Sequence, residues 1–150
     1  GAVIDHPVFS RLWPRIGDRL DRQGASEHRD RLAAHLSGTV AEVGCGDGRQ
    51  FRHYPPEVER VVAVEPEHHL RELAAAAAAS APVAVEVTEG RSEQLSLEDR
   101  SCDAVVCSLV LCSVGDQDAA LAEIARVLRP GGELRFYEHV VAENGPGRVA

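Results

Sequence analysis

Thr39-Val40-Ala41-Glu42-Val43-Gly44-Cys45-Gly46-Asp47-Gly48 is the stretch that decides the fold. Its first half is short, apolar and β-prone, as a buried strand is. Its second half places glycine at every other position. Glycine there lets the chain turn sharply and lets backbone approach a ligand where a Cβ would collide. On the N-terminal side, residues 5–37 read as helical. Phe9, Leu12, Trp13, Ile16 and Leu20 recur at helical spacing between charged residues. Phe9 and Trp13 are read as core packing, with a lid over a pocket as the other reading. Pro14 marks a kink or restart, and Gly24-Ala25-Ser26 a break. Ser26 then caps a second helix that ends near Leu36-Ser37-Gly38.

On the C-terminal side the pattern alternates. A short helix follows the glycine turn and stops at Pro55-Pro56. Val58 to Val64 is a second strand, closed by Glu65-Pro66, and Glu67 to about Ser80 is a helix. Val83 to Val87 is a third strand. Asp103 to Ser108 is a fourth, nearly all apolar, as a strand covered on both faces is. A helix begins near Asp116 and stops at Pro130-Gly131-Gly132. Glu133 to Val141 is a fifth strand. Strands alternating with helices make an α/β fold with a parallel sheet.

A strand, a glycine turn and a helix in that order form a nucleotide-binding geometry, with the ligand outside the carboxyl ends of the strands. The dinucleotide fingerprint needs Gly or Ala three residues after its second glycine. Here that position is Arg49, and the third glycine comes one residue early, at Gly48. A phosphate-cradling P-loop is excluded, because no Gly-Lys-Ser/Thr follows and the chain has no Lys at all.

Composition bounds the remaining choices. The 150 residues suit one domain, and 44% apolar with 27% charged residues is an ordinary globular balance. Sixteen basic against 24 acidic residues give a net charge of −8, which argues against nucleic acid as the main partner. No apolar run approaches the ~20 residues of a membrane helix. The run Ala74 to Ala79 is flanked by Arg71, Glu72 and Pro82. The four cysteines, at 45, 102, 107 and 112, form no CxxC pair and have no His at metal spacing, so no metal site is expected. With no secretory signal, reduced thiols and a cytoplasmic location are expected. The chain opens on Gly1 and contains no Met, so residue 1 reads as a scar or a processed end.

Four segments, EVGCGDG, VAVEP, CDAVVCSLVL and ARVLRPGGELRF, resemble in order the motifs of class I S-adenosylmethionine-dependent methyltransferases. The likeness runs from Thr39 to about Val141. FRHYPP, VCSLVLCSV and EHV further resemble methyltransferase-like 7 and related small-molecule or thiol methyltransferases, of the methyltransferase type 11 group. The resemblance implies a Rossmann-like, mostly parallel sheet over residues 39–150, capped by helices in 1–38. It implies S-adenosyl-L-methionine as cofactor, S-adenosyl-L-homocysteine as product and a small-molecule methyl acceptor. Gly44, Cys45, Gly46 and Gly48 match the turn along the methionine and ribose. Glu42 matches the acid near the methionine ammonium. Glu65, followed by Pro66, matches the acid that takes both ribose hydroxyls, a role an acceptor-only carboxylate suits. Ser92 and Glu93 match the adenine segment, where Arg91 replaces a frequent Asp. Ser108 and Leu109 match positions under the methionine arm.

Cys112 falls where many relatives carry His, and His139 at the carboxyl end of the fifth strand, where an active site opens. These two are the catalytic candidates. Their plainer readings are a small buried apolar residue and a surface His. Cys45, Cys102 and Cys107 read as packing, and His68-His69 and Arg52-His53 as solvated faces.

The family sheet has seven strands and five are counted here, which leaves the fifth as an open edge. A partner chain, as in a homodimer, or further chain beyond Ala150 is expected to cover it. Two rival readings stand beside the enzyme. One is a truncated or non-catalytic cofactor-binding domain. The other is a nicotinamide oxidoreductase, against which Arg49 speaks.

Overall fold

A computed structural model of the chain describes residues 11–12, 15–16, 18–19, 21–108 and 115–137. Among the described residues, five strands form one parallel sheet: β1 (Gly38–Val43), β2 (Val58–Val64), β3 (Ala84–Thr88), β4 (Cys102–Ser108) and β5 (Leu128–Tyr137). Their order across the sheet is β3-β2-β1-β4-β5. The chain therefore reverses its direction of travel between β1 and β4. That is the switch point where open α/β sheets bind ligands.

Helices cover both faces. Leu32, Ala33 and Leu36, in or just after α1 (Ser26–Ala33), pack with Ala74 of α2 (His68–Ala79) on one face. Val40, Val61, Ala63, Ala104 and Val106 form the sheet side of that cluster. On the other face, Ile124 and Val127 of α3 (Gln117–Val127) pack on Ala41, Val43, Val64, Val105 and Cys107. Val40 through Val43 are all buried, so β1 is covered on both faces. Each such buried Val stabilises the fold by about 1.5–3 kcal/mol relative to exposure.

The amino ends of the strands are tied together by Asp103. Its Oδ2 accepts from the Thr39 amide at 2.8 Å, and its Oδ1 accepts from Arg129 at 2.9 Å. A Cβ at Gly38 would lie 2.1 Å from that Oδ2, so glycine is required there. Arg135 of β5 donates to the carbonyls of Leu32 and Ala34, which places a cation at the end of α1. β5 has β4 as its neighbour and forms one edge of the sheet among the described residues.

Several sequence expectations need correction. Ser26 is the first residue of α1, and Ala25 precedes it without a side-chain cap; Gly24, at φ 106°, makes the break. The segment after the glycine turn is one 3₁₀ turn, Phe51–His53. Pro130-Gly131-Gly132 does not stop α3, which ends at Val127. It lies within β5, where Cys102 pairs with Leu128 and Ala104 with Glu133 across a bulge. Leu12 and Ile16 are exposed, so the stripe they were read into is not buried there. Phe9, Trp13, Pro14 and Leu20 lie outside the described residues.

Candidate active site

The carboxyl ends of β1, β2 and β3 are stitched side by side. The Val64 carbonyl accepts from the amides of Gly44 (2.8 Å) and Cys45 (3.1 Å), and the Thr88 carbonyl accepts from Glu65 (3.1 Å). Gly44, Gly46 and Gly48 have φ of 71°, 58° and 86°. All three lie in the left-handed region that L side chains avoid. At Gly48 the packing adds a second demand, since a Cβ would lie 2.8 Å from both Ala77 and Phe51.

Glu65 joins the turn to the second strand. Its Oε1 accepts from the Gly46 amide at 3.0 Å and its Oε2 from the Glu67 amide at 2.8 Å. Burial raises its pKa, and the two backbone N–H groups pull it back down. Each carboxylate oxygen has room for a second donor. Glu65 can therefore accept two hydroxyls while holding the turn. Pro66 follows, and its carbonyl accepts from Arg71 of α2 at 2.9 Å. Glu67 caps α2 by accepting from the Leu70 amide at 2.8 Å.

Glu42 lies inside the sheet, 1% exposed. Tyr54 donates to its Oε1 at 2.6 Å. Burial pushes the Glu42 carboxyl up to about 8, against the Tyr54 hydrogen bond and the charge of Arg29. Cys45 is buried in the turn, and burial pushes its thiol well above the ordinary range, which makes it a packing group. Cys102 and Cys107 are also buried, and neither is in a disulfide.

Ser92 is buried and donates to Glu93 at 2.7 Å. Their loop is clamped from α3. Glu123 accepts from the Leu95 amide, and Arg126 donates to the carbonyls of Leu95 and Leu97 and to Asp99. Arg91 is exposed and bridges to Gln94. Arg49, the residue that breaks the dinucleotide fingerprint, pairs with Asp47 at 2.9 Å and Asp18 at 2.7 Å. Ser108 ends β4. Its side chain, together with Leu109, Cys112 and His139, lies outside the described residues. The solvated reading holds for His68 and His69. It fails for His53, whose side chain is 6% exposed and bonded to Asp30 at 2.5 Å.

Sequence reasoning does not single out Tyr54, Arg29 or Glu67. Tyr54 carried one available signal, a large polar-tipped aromatic just before Pro55-Pro56 in a segment too short to bury it by periodicity. Glu67 carried another, an acid immediately before a helix.

A family profile described as a methyltransferase domain matches residues 41–136, from within β1 into β5. The chain belongs to the methyltransferase domain family. The chain is 43% identical over 147 residues to human thiol S-methyltransferase TMT1B, covering 91% of this chain and 60% of that protein. It is 42% identical over 108 residues to human thiol S-methyltransferase TMT1A, covering 70% of this chain and 44% of that protein. It thus spans about half the length of the relatives it matches. Among solved structures, a SAM-dependent methyltransferase of Thermotoga maritima, described as a possible histamine N-methyltransferase, superposes with a TM-score of 0.67 at 28% identity. That match covers 85% of this chain and 58% of the other. S-adenosyl-L-methionine is the methyl donor that goes with this methyltransferase domain. The donor set fits it: an acceptor-only carboxylate beside a glycine turn, and a second acid buried behind that turn. Among the described residues, no helix is long and apolar enough to cross a membrane.

Proposed function

We propose that this domain transfers a methyl group from S-adenosyl-L-methionine to a small-molecule acceptor, with a thiol as the first class to test. The observation that carries the reading is Glu65. Its carboxylate is fixed by the Gly46 and Glu67 amides at the crevice end of the sheet. Two relatives named as thiol S-methyltransferases support the acceptor class.

The bound cofactor supplies an electrophilic methyl group on a sulfonium, so the protein contributes position and electrostatics. Glu65 would accept the ribose hydroxyls. Gly44, Cys45, Gly46 and Gly48 would offer backbone beside the methionine and ribose. Glu42 would balance the methionine ammonium from inside the sheet. Ser92 and Glu93 would meet the adenine, and Ser108 and Leu109 the methionine arm. Cys112 and His139 would be the catalytic groups. A thiol that arrives as thiolate needs no general base.

Residues 39–150 form the cofactor core in this reading, and residues 1–38 an N-terminal helical cap. The acidic balance favours a small molecule over nucleic acid. The buried cysteines Cys45, Cys102 and Cys107, none in a disulfide, favour a reducing, cytoplasmic setting. A homodimer would pair at the β5 edge.

Incubation with methyl-labelled S-adenosyl-L-methionine and matched thiol, amine and hydroxyl acceptors tests the proposal. Label is expected in the thiol product. Tight binding of S-adenosyl-L-homocysteine with no transfer to any acceptor would leave a non-catalytic cofactor-binding domain.

A further inference from the structure

Glu42 is placed where a carboxylate is hard to keep. Ala63 of β2 and Val106 of β4 flank it across the sheet, and both belong with Val40 to one apolar cluster. Tyr54 lies in the same cluster, 3% exposed, and its hydroxyl reaches Glu42 Oε1 at 2.6 Å. That is a short O–H···O hydrogen bond. The charged and titratable groups around the pair come from every side. Arg29 of α1 favours the ionised form of Glu42. The Cys45 thiol in the glycine turn and the Cys107 thiol of β4 face Tyr54. Glu65, at the end of β2, acts on Cys45 together with Glu42 and Asp47. Burial, and then the Glu42 charge, hold the Tyr54 phenol well above its ordinary range, so it stays a donor.

We propose that Tyr54 is the positioning residue of the cofactor acid: its hydrogen bond to Glu42 allows that buried carboxyl to give up its proton when the methionine ammonium arrives. This rests on the cofactor reading above. The proton leaves Glu42 for solvent, the carboxylate that remains balances the ammonium, and Tyr54 keeps its own proton. Cofactor capture is therefore linked to pH. Without a cation, burial holds the Glu42 carboxyl near 8 and it carries a proton at neutral pH. At pH 7 binding then releases most of one proton per site.

The test is calorimetric titration of the chain with S-adenosyl-L-homocysteine at pH 6 to 9. At pH 7 it is repeated in two buffers of different ionisation enthalpy. Affinity is expected to rise about tenfold from pH 6 to pH 7 and to level off above about 8, with the buffer pair reporting net proton release. Tyr54→Phe removes a bond that favours the ionised form. It is expected to move the levelling point up by about one to two pH units, with a loss of about 10- to 100-fold at pH 7 that shrinks as pH rises. A purely structural tyrosine would weaken binding equally at every pH, and that result would overturn the proposal. If Tyr54→Phe does not fold, the unsubstituted chain decides, since binding without proton release overturns the proposal alone. No binding at any pH would instead remove the cofactor reading and this inference with it.

Discussion

Replacing Glu65 with Ala separates a ligand-holding acid from an ordinary strand-end acid. In the folded chain Glu65 accepts two backbone N–H bonds, at 3.0 Å from Gly46 and 2.8 Å from Glu67. Alanine leaves both amides without that acceptor, at a cost of about 1–3 kcal/mol each if they stay dry. Two effects reduce this. Gly46 is half-buried, so water can reach its amide once the carboxylate is removed. The raised pKa of Glu65 also means that its charge is itself costly to bury, and alanine removes that cost. A net loss of about 1–2 kcal/mol is expected, or about 2–8 °C in Tm for a chain of this size.

Cofactor affinity is expected to fall further. Two charge-assisted hydrogen bonds to vicinal hydroxyls, taken at about 1.5 kcal/mol each, give about 3 kcal/mol, or roughly 150-fold in Kd. Glu65→Gln keeps one acceptor oxygen and is expected to fall between. Calorimetry with S-adenosyl-L-homocysteine reads the affinity, and thermal unfolding without ligand reads the stability. An affinity change under threefold beside a clear drop in Tm would refute the reasoning and leave Glu65 a structural acid.

Other substitutions test the supporting geometry. Gly48→Ala forces an L residue to φ +86° and sets a Cβ 2.8 Å from Ala77 and Phe51. A loss of about 2–4 kcal/mol in urea unfolding is expected, combining backbone strain with overpacking. Glu42→Gln tests the buried acid. Its folded pKa, about 8, lies above the ordinary 4.5, so the folded chain holds a proton that the unfolded chain has lost between those values. Stability therefore falls as pH rises through that window, by up to about 1.4 kcal/mol per pH unit, and Glu42→Gln is expected to flatten that slope. Equal slopes from pH 5 to 8 in the two chains would contradict it. Arg126→Ala unclamps the loop beside Ser92 and Glu93. Hydrogen exchange at the Leu95 amide is expected to speed up, with weaker cofactor binding. Unchanged exchange would show that Glu123 alone holds the loop.

The sheet was legible because its signals are local. Val58–Val64 carries β-branched residues between a proline pair and Glu65-Pro66, and the strand has those bounds. Asp116 announces α3, and its side chain accepts from the Ala119 amide there. The glycine turn is legible for the same reason, and Gly44, Gly46 and Gly48 all take positive φ. Two of the misreadings share a cause, a local signal overruled by a partner distant in sequence. Pro130-Gly131-Gly132 reads as a helix stop, yet pairing with β4 draws it into a bulged strand. His53 reads as solvated, yet Asp30, 23 residues earlier, covers it. Tyr54 carries no periodic signal, and its meaning appears only when the fold brings it to Glu42.

The central claim is that the glycine turn and Glu65 hold an adenosyl methionine rather than a dinucleotide. Parallel calorimetric titrations of the unsubstituted chain with S-adenosyl-L-homocysteine and with NAD test it most directly. Saturable one-to-one binding of S-adenosyl-L-homocysteine, with no heat from NAD, is the expected result. Binding of NAD without S-adenosyl-L-homocysteine would contradict the account.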